Sequence, residues 1–246
     1  FKRKIESVVN QLIADLRLLE GTDYDKEKKV HDWMCQNIEY DFDGSDLKQP
    51  VRLIASHNII GVFAHHKAQC EGIAKAAKVL LNAVDVKCIV ATGESDTNHQ
   101  NERHAWNVVD VEQKPYHLDI TWDIGASNRK NGAIAYDYFN LTDELIMRDH
   151  KAEDVLPKCS DLSENYYIKN QLVFNTKAKL YRYIDSALEQ GIYEFDFRYN
   201  GKEKATKLSG EVMRYILKWM RDQGRTVAKV VQRPNDLLGI CKLIVC

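Results

Sequence analysis

The chain has 246 residues, of which 44% are hydrophobic and 29% are charged, a composition typical of a globular protein that can bury a core without disulfides or metals. Its 35 basic and 36 acidic residues give a net charge of -1, which predicts neither a nucleic-acid partner nor binding to an anionic membrane surface. The sequence contains no run of 18 apolar residues, so no transmembrane segment is predicted.

The start of the chain and its cysteines add few constraints. The sequence begins at Phe1, and we expect upstream residues to have been removed together with any signal peptide or anchor. The six cysteines form no C-x-x-C pair, so neither a zinc ribbon nor a thioredoxin-type site is predicted. Their even number is compatible with disulfides, whose pairing stays open.

Hydrophobic periodicity predicts helices in the first third of the chain. Apolar residues at helical spacing indicate a helix over residues 4–21 and a second helix over residues 22–40, with Trp33 on the buried stripe of the second. A third helix is predicted from about Cys70 to Ala83, with an apolar side that would face the core.

Strands are predicted after the third helix. Residues 85–93 have the pattern of a buried strand, and residues 94–103 are predicted to form a polar loop. Residues 104–111 and 115–123 are both strand-like, and the short segment between them gives the strongest hairpin signal in the chain.

The sequence pattern changes near residue 165, after a short helix that Thr142 is predicted to cap. From there strands and helices alternate, beginning with a strand over residues 168–174. We therefore predict a first domain over residues 1–165 and a small α+β domain over residues 166–246, whose role stays open.

The stretch "HKAQCEGIAKAA" places Cys70 at the predicted start of a helix. A lone cysteine usually packs in a core, but the unpaired N–H groups and the dipole at a helix start favour a thiolate. The same N–H groups can hold a developing oxyanion. An attacking thiolate also needs a base, usually histidine, and a third group that holds the base in place.

The predicted hairpin supplies both groups, His104 in one strand and Asp119 in the other. Their numbers add to an odd value, so a loop of even length puts both side chains on one face of the sheet. A loop at Val111 and Glu112 makes them directly opposite, and a loop at Glu112 and Gln113 makes them diagonal neighbours within reach of an imidazole ring. The same parity predicts Trp106 on the face of His104 and Trp122 on the other face.

Three blocks in this order, "AQCEGIAKA", "RHAWNVV" and "YHLDITWD", closely resemble the core of the transglutaminase-like family, a papain-related group. The segments "IEYD" and "YFNLTDELIMRDH…LPKC" resemble its bacterial members. The resemblance covers roughly residues 25–168, and it depends on the three blocks together.

The resemblance implies a Cys-His-Asp triad in the first domain, with Cys70 as nucleophile, His104 as base and Asp119 as orienting carboxylate. It implies acyl transfer through a thioester that water or an amine then attacks, and it implies no metal or organic cofactor. The calcium sites of the animal transglutaminases have no match in this sequence.

Other side chains are weaker candidates for contact with a substrate. Trp33, Gln69 and Tyr40 lie upstream of the nucleophile and are candidates for a second oxyanion donor, although Trp33 fits core packing better. Trp106 is predicted to wall the site or to pack in the core.

His65 and His66 precede the nucleophile and are predicted to line the cleft. Adjacent residues of an extended chain point in opposite directions, so we do not predict that they bind a metal together with Cys70 and His104.

These observations predict an α+β fold in which a helix carrying Cys70 packs on an antiparallel sheet carrying His104 and Asp119, followed by the small second domain. The predicted function is hydrolysis of peptide or side-chain amide bonds. The alternatives are crosslinking of glutamine to lysine and a catalytically inactive module that binds a peptide or cell-wall component. The expected partner is a protein or peptide substrate, the family resemblance suggests a secreted or cell-surface location, and the oligomeric state stays open.

Overall fold

The structure, a computed structural model, describes residues 2–44, 48, 50–97, 100–127, 132–227 and 229–245. The chain divides into two compact units, Phe1–Asn165 and Tyr166–Cys246. Among the described residues, no helix combines the length and the apolar character that crossing a bilayer requires.

Helices surround the sheets of the first unit. The helices, in chain order, are α1 (Lys2–Asp15), α2 (Asp23–Asn37), α3 (Pro50–Ser56), α4 (Ile59–His65), α5 (Cys70–Asn82), α6 (Ile120–Ala126) and α7 (Asp143–Ile146). The strands are β1 (Glu39–Tyr40), β2 (Lys67–Ala68), β3 (Cys88–Thr97), β4 (Gln100–Val111), β5 (Lys114–Leu118) and β6 (His150–Ala152).

The core of the first unit lies between helix α5 and an antiparallel sheet with the strand order β5-β4-β3-β6. The face of α5 that carries Ile73, Ala77 and Leu80 is buried, and its alanines let the helix approach the strands closely. The Asn107 side chain in β4 donates a hydrogen bond to the Ala74 carbonyl at 3.0 Å. The predicted α+β arrangement, with the Cys70 helix on an antiparallel sheet, is therefore confirmed.

The long hairpin β3–β4 corrects one expectation. The predicted polar loop over residues 94–103 is mostly strand, because Glu94 pairs with Arg103 and Ser95 with Glu102 in the antiparallel register. Backbone pairing across the hairpin satisfies the N–H and C=O groups of these residues, whatever the polarity of their side chains.

The second unit has its own sheet and its own apolar core. Its elements are α8 (Tyr166–Lys169), β7 (Val173–Phe174), α9 (Lys177–Glu189), β8 (Glu194–Tyr199), α10 (Ala205–Asp222), β9 (Val230–Asn235) and β10 (Ile240–Val245). The sheet has the order β7-β8-β10-β9. Apolar side chains of α9 and α10 pack on Phe195, Phe197 and Leu243 of this sheet.

The strand predicted over residues 168–174 is wrong for most of its length. Residues Tyr166–Lys169 form a helical turn, and only Val173–Phe174 pair as a strand. Gln171 between them has φ 58°, a left-handed conformation that interrupts an extended run. A short apolar segment has no periodicity long enough to separate the two states.

A buried acid predicts a pH-dependent stability. Glu27 in α2 is fully buried and accepts a hydrogen bond of 2.8 Å from Asn140. Burial raises the pKa of Glu27 to about 8, against 4.5 for an ordinary glutamate. The folded state therefore holds this proton more tightly than the unfolded chain. The resulting stabilisation is complete below pH 4.5 and is lost as the pH rises through 8.

We expect the substitution Glu27→Gln to remove this dependence, because an amide keeps the shape without the proton. In urea unfolding at pH 5 and pH 9, the free energy of unfolding of the native chain should fall relative to the variant by about 4 kcal/mol. The exposed acid Glu20, changed in the control Glu20→Gln, should leave the native pH dependence in place. Parallel curves for the native chain and Glu27→Gln would contradict this account.

Candidate active site

Cys70 is the first residue of α5, so its thiol lies at the amino-terminal tip of that helix. The residue before it, Gln69, is extended and makes no side-chain capping bond. Its amide donates instead to the Asp41 carbonyl at 3.1 Å. The first N–H groups of α5 therefore receive no cap from Gln69, which leaves the helix dipole facing the sulfur.

Local backbone contacts fix the position of this helix tip. Strands β1 and β2 pair in parallel, with Tyr40 opposite Ala68, two residues before the thiol. The Gln69 N–H donates to the Ser56 carbonyl at 3.0 Å. A Cβ atom on Gly72 would lie 2.4 Å from the same carbonyl oxygen, so only glycine lets the first turn of α5 approach α3 this closely.

The β4–β5 hairpin brings His104 and Asp119 together. Val111 pairs with Lys114, so the loop is the two-residue turn at Glu112 and Gln113, whose φ angles are 49° and 66°. Two positive φ angles are the signature of the tight turn that suits twisted strands. This is the diagonal register among the two predicted alternatives.

Asp119, however, is not part of the sheet, and this expectation was wrong. Strand β5 ends at Leu118, and Asp119 is the N-cap of α6, where its side chain accepts a hydrogen bond of 3.2 Å from the Trp122 N–H. A strand that turns into a helix changes its side-chain period from 2 to 3.6. The parity argument therefore also failed for Trp122, whose ring lies 6.2 Å from that of His104 rather than on the opposite face.

The three predicted triad residues meet at one site. The His104 Nε2 atom donates to the Asp119 Oδ2 atom at 2.7 Å, and the Cys70 thiol lies close enough to the same ring to help raise the pKa of His104. Cys70 is half-buried, His104 is 9% exposed and Asp119 is fully buried.

The charges of the site stabilise each other. Burial opposes a charge on His104, but the Asp119 carboxylate and its hydrogen bond, together with Cys70, raise the pKa of His104 to about 10. Burial likewise opposes ionisation of Asp119, yet His104 and a second histidine, His150, hold the pKa of this carboxyl well below its usual range. The pair is therefore an imidazolium and a carboxylate at neutral pH.

His150 is a residue of the site to which the sequence analysis assigned no role. Its Nε2 atom lies 2.9 Å from Asp119 Oδ2, the same oxygen that His104 contacts. It belongs to β6, which pairs with β3 more than fifty residues earlier in the chain. The sequence feature that could have pointed to His150 is the segment "LIMRDH", which belongs to one of the blocks that resemble bacterial transglutaminase-like proteins.

Two of the weaker candidates flank the triad. Trp106 is buried, and its ring stacks beside that of His104 at 6.2 Å, so it supports the imidazole from the core instead of walling an open cleft. Tyr40 is half-buried. Burial, with the charges of Cys70, Glu102 and Asp119, raises the pKa of Tyr40 to about 12, so its hydroxyl is neutral at physiological pH.

The structure does not bring the other candidates to the triad. His65 and His66 are exposed at the end of α4, and the His66 ring lies 6.2 Å from that of Trp33. Within the part of the chain that the structure describes, no hydrogen bond or ring contact joins these three residues to the triad. Trp33 is half-buried in α2, as its stripe position predicted.

Two clusters carry side chains of the kinds that bind metals. The first is His104, Asp119 and His150. Both imidazoles lie within 2.9 Å of one carboxylate oxygen, whereas ligand atoms of one tetrahedral zinc ion lie about 3.4 Å apart. The spacings are therefore those of hydrogen bonds.

The second cluster is His117, Asp143 and Cys159. The His117 Nδ1 atom accepts a hydrogen bond of 3.0 Å from the Trp106 indole, so the proton of this ring is on Nε2, which donates to Asp143 at 2.9 Å. A metal on Nε2 would move the proton to Nδ1, against the indole N–H. Neither cluster fits a metal, and the expectation that the site needs none stays a prediction.

Comparisons with known proteins found a family model, curated relatives and a solved structure that are similar to parts of the chain. Residues 10–120 match a sequence model of the Transglutaminase-like superfamily. The mouse (Mus musculus) and human (Homo sapiens) Kyphoscoliosis peptidases are 23% and 24% identical to the chain, in each case over 59% of this chain and 23% of the relative. A solved structure of a TGase aligns with 48% of this chain and 31% of its own, with 18% identity and a TM-score of 0.41.

The part of the chain that matches the transglutaminase-like superfamily, residues 10–120, lies within the first unit. The chain spans about a quarter of the length of the curated relatives, 23% in both cases. Those two relatives are mammalian, and the resemblance to bacterial members stays an expectation.

The charge on Asp119 predicts how His104 titrates. We expect Asp119→Asn to lower the pKa of His104 from about 10 towards the ordinary 6.5, because the amide removes the negative charge. Asparagine is also a good N-cap, so α6 should still begin at the same residue. The ring protons of His104, followed by NMR between pH 5 and pH 11, give the measurement.

The matched control is Asp110→Asn, which removes a carboxylate from the same strand as His104 but outside the triad. It should leave the His104 titration where it is. If Asp119→Asn and Asp110→Asn gave the same curve as the native chain, the electrostatic role given to Asp119 would be wrong.

Proposed function

We propose that the first unit is a cysteine-dependent acyl-transfer enzyme that hydrolyses peptide or side-chain amide bonds through a thioester on Cys70. The observation that supports this most directly is the arrangement of the three side chains. A half-buried thiol at a helix tip lies near an imidazole whose pKa it helps to raise, and a buried carboxylate accepts a hydrogen bond of 2.7 Å from that imidazole. The match of residues 10–120 to the transglutaminase-like superfamily and the word peptidase in the names of the curated relatives point in the same direction.

In the first half of the reaction, the Cys70 sulfur attacks the carbonyl carbon of the amide and forms a C–S bond. The imidazolium of His104 then gives its Nδ1 proton to the leaving nitrogen as the C–N bond breaks. The amine departs, and the acyl group remains on the sulfur as a thioester. Asp119 keeps the His104 ring turned towards the sulfur throughout, because it holds Nε2.

In the second half, water attacks the thioester carbon and gives a proton to His104. The C–S bond breaks, the carboxylic acid leaves, and the sulfur and His104 return to their starting charges. The negative oxygen that forms in both halves would lie at the start of α5, where the N–H groups of the first turn can donate to it. Tyr40, whose hydroxyl is neutral and whose backbone pairs with Ala68 two residues before the thiol, is the second candidate donor.

The thiol chemistry can be tested without a known substrate. Iodoacetamide at pH 6.5 should alkylate Cys70 at least about tenfold faster in the native chain than in His104→Ala, because the imidazolium favours the reactive thiolate. Peptide mapping separates Cys70 from the buried cysteines Cys35, Cys88, Cys159 and Cys241.

The matched control for this comparison is His57→Ala. His57 is a half-buried histidine that bonds to Glu71 at 3.2 Å rather than to the triad. Its loss should leave the Cys70 rate unchanged. Equal rates for the native chain and His104→Ala would remove the support for catalysis and favour a binding module.

A second experiment separates hydrolysis from crosslinking. The chain is incubated with casein and a fluorescent primary amine, beside a Cys70→Ala variant as the blank. New amino termini or released ammonia, without fluorescent casein, support hydrolysis. Incorporation of the amine into casein would replace the hydrolase proposal by the crosslinking one.

A further inference from the structure

We propose that His150 is a positioning residue for Asp119, a buried cation that holds the triad carboxylate in place against His104. The inference rests on the proposed function, since it concerns how the same site is made ready for thiol chemistry. His150 does not touch the sulfur, and its effect passes through Asp119 and His104.

The hydrogen-bond partners of His150 require a charged ring. Its Nε2 atom lies 2.9 Å from Asp119 Oδ2, and its Nδ1 atom lies 2.6 Å from Asp149 Oδ1. An ionised carboxylate can only accept hydrogen bonds, so both ring nitrogens must carry a proton. A neutral imidazole would turn a lone pair towards one of the two carboxylates.

The packing around His150 fixes its ring and keeps water away. The residue is 3% exposed, and its ring lies 4.7 Å from that of Trp122 and 5.2 Å from that of Trp106. Strand β6 can lie this close to β3 because Gly93 has no side chain: a Cβ atom there would lie 2.1 Å from the Lys151 carbonyl oxygen. Gly93 is also the residue that pairs with His104.

The hydrogen bonds form one continuous buried chain. The Tyr138 hydroxyl donates to Asp149, Asp149 accepts from His150, His150 donates to Asp119, and Asp119 accepts from His104. Each carboxylate in this chain receives hydrogen bonds from both neighbours, so its rotation is restricted. A carboxylate held in this way can keep the His104 ring at one orientation.

The positive charge of His150 should affect the pH at which Cys70 becomes reactive. The charged and titratable groups that face it are Asp119, Asp149, His104, the Tyr138 hydroxyl and, from β5, His117. A cation in this place favours every deprotonation around it, including that of the thiol near His104. Removal of the cation should therefore shift the pH at which Cys70 becomes reactive to a higher value.

The test is the rate of Cys70 alkylation by iodoacetamide between pH 5 and pH 10 in the full chain. In the variant His150→Gln, the side-chain amide can still donate a hydrogen bond to Asp119 but carries no charge. We expect His150→Gln to shift the rate profile upward by about one pH unit, and to lower the rate at pH 6 by about tenfold. The rate above pH 9 should stay close to the native rate.

The matched control is His31→Gln. His31 is also a buried histidine between two carboxylates, Asp32 and Asp123, but it does not contact Asp119. We expect this variant to lose stability without a shift of the profile. A lower rate for His150→Gln at every pH, with no shift, would show a merely structural residue and overturn the inference.

The two proposals fail in different ways. If His104→Ala reacts like the native chain, the proposed function fails. If His104→Ala is slow while His150→Gln reproduces the native profile, only the role of His150 fails. Should His150→Gln not fold, the charge can be read in the native chain, where ¹⁵N NMR at pH 7 should find both ring nitrogens of His150 protonated. A neutral ring would overturn the inference.

Discussion

The hydrogen bond between His104 and Asp119 is the constraint on which the first unit depends. Two charged groups this deeply buried are tolerated only when they are paired and fully hydrogen-bonded. Asp119 meets this requirement with two imidazoles on one oxygen and a backbone N–H on the other. The hairpin register places His104 beside this carboxylate, the start of α6 provides the Trp122 N–H, and the pairing of β6 with β3 brings His150 to it.

The nucleophile is positioned by a different part of the molecule. The tip of α5 is held by the β1–β2 pairing and by the close contact of Gly72 with Ser56, not by the sheet that carries His104. Helix and sheet are then joined by side-chain packing and by the bond from Asn107 to α5. The distance between sulfur and imidazole thus depends on the packing of α5 on β3 and β4, and any change that opens this layer would separate the two halves of the site.

Burial separates the triad from two similar groups in the same unit. The described residues hold three sets that contain a cysteine, a histidine and an aspartate, namely Cys70 with His104 and Asp119, Cys35 with His31 and Asp123, and Cys159 with His117 and Asp143. Only in the first set is the sulfur not buried. In the other two sets the sulfur is buried, and the histidine is hydrogen-bonded to the aspartate, as buried histidines usually are to some polar partner.

The sequence by itself determined the local features. The helix that begins at Cys70 follows from the apolar spacing after it, and the hairpin pattern correctly brought the segments that carry His104 and Asp119 together. It could not show that Asp119 leaves the strand to cap α6, because the switch of period at Leu118 is decided by packing, and so Trp122 was assigned to the wrong side. His150 was decided by the tertiary structure alone. Its place beside Asp119 comes from the pairing of β6 with β3, a contact between distant residues that no local propensity encodes, and its charge comes from two carboxylates that only the folded chain brings to the same ring.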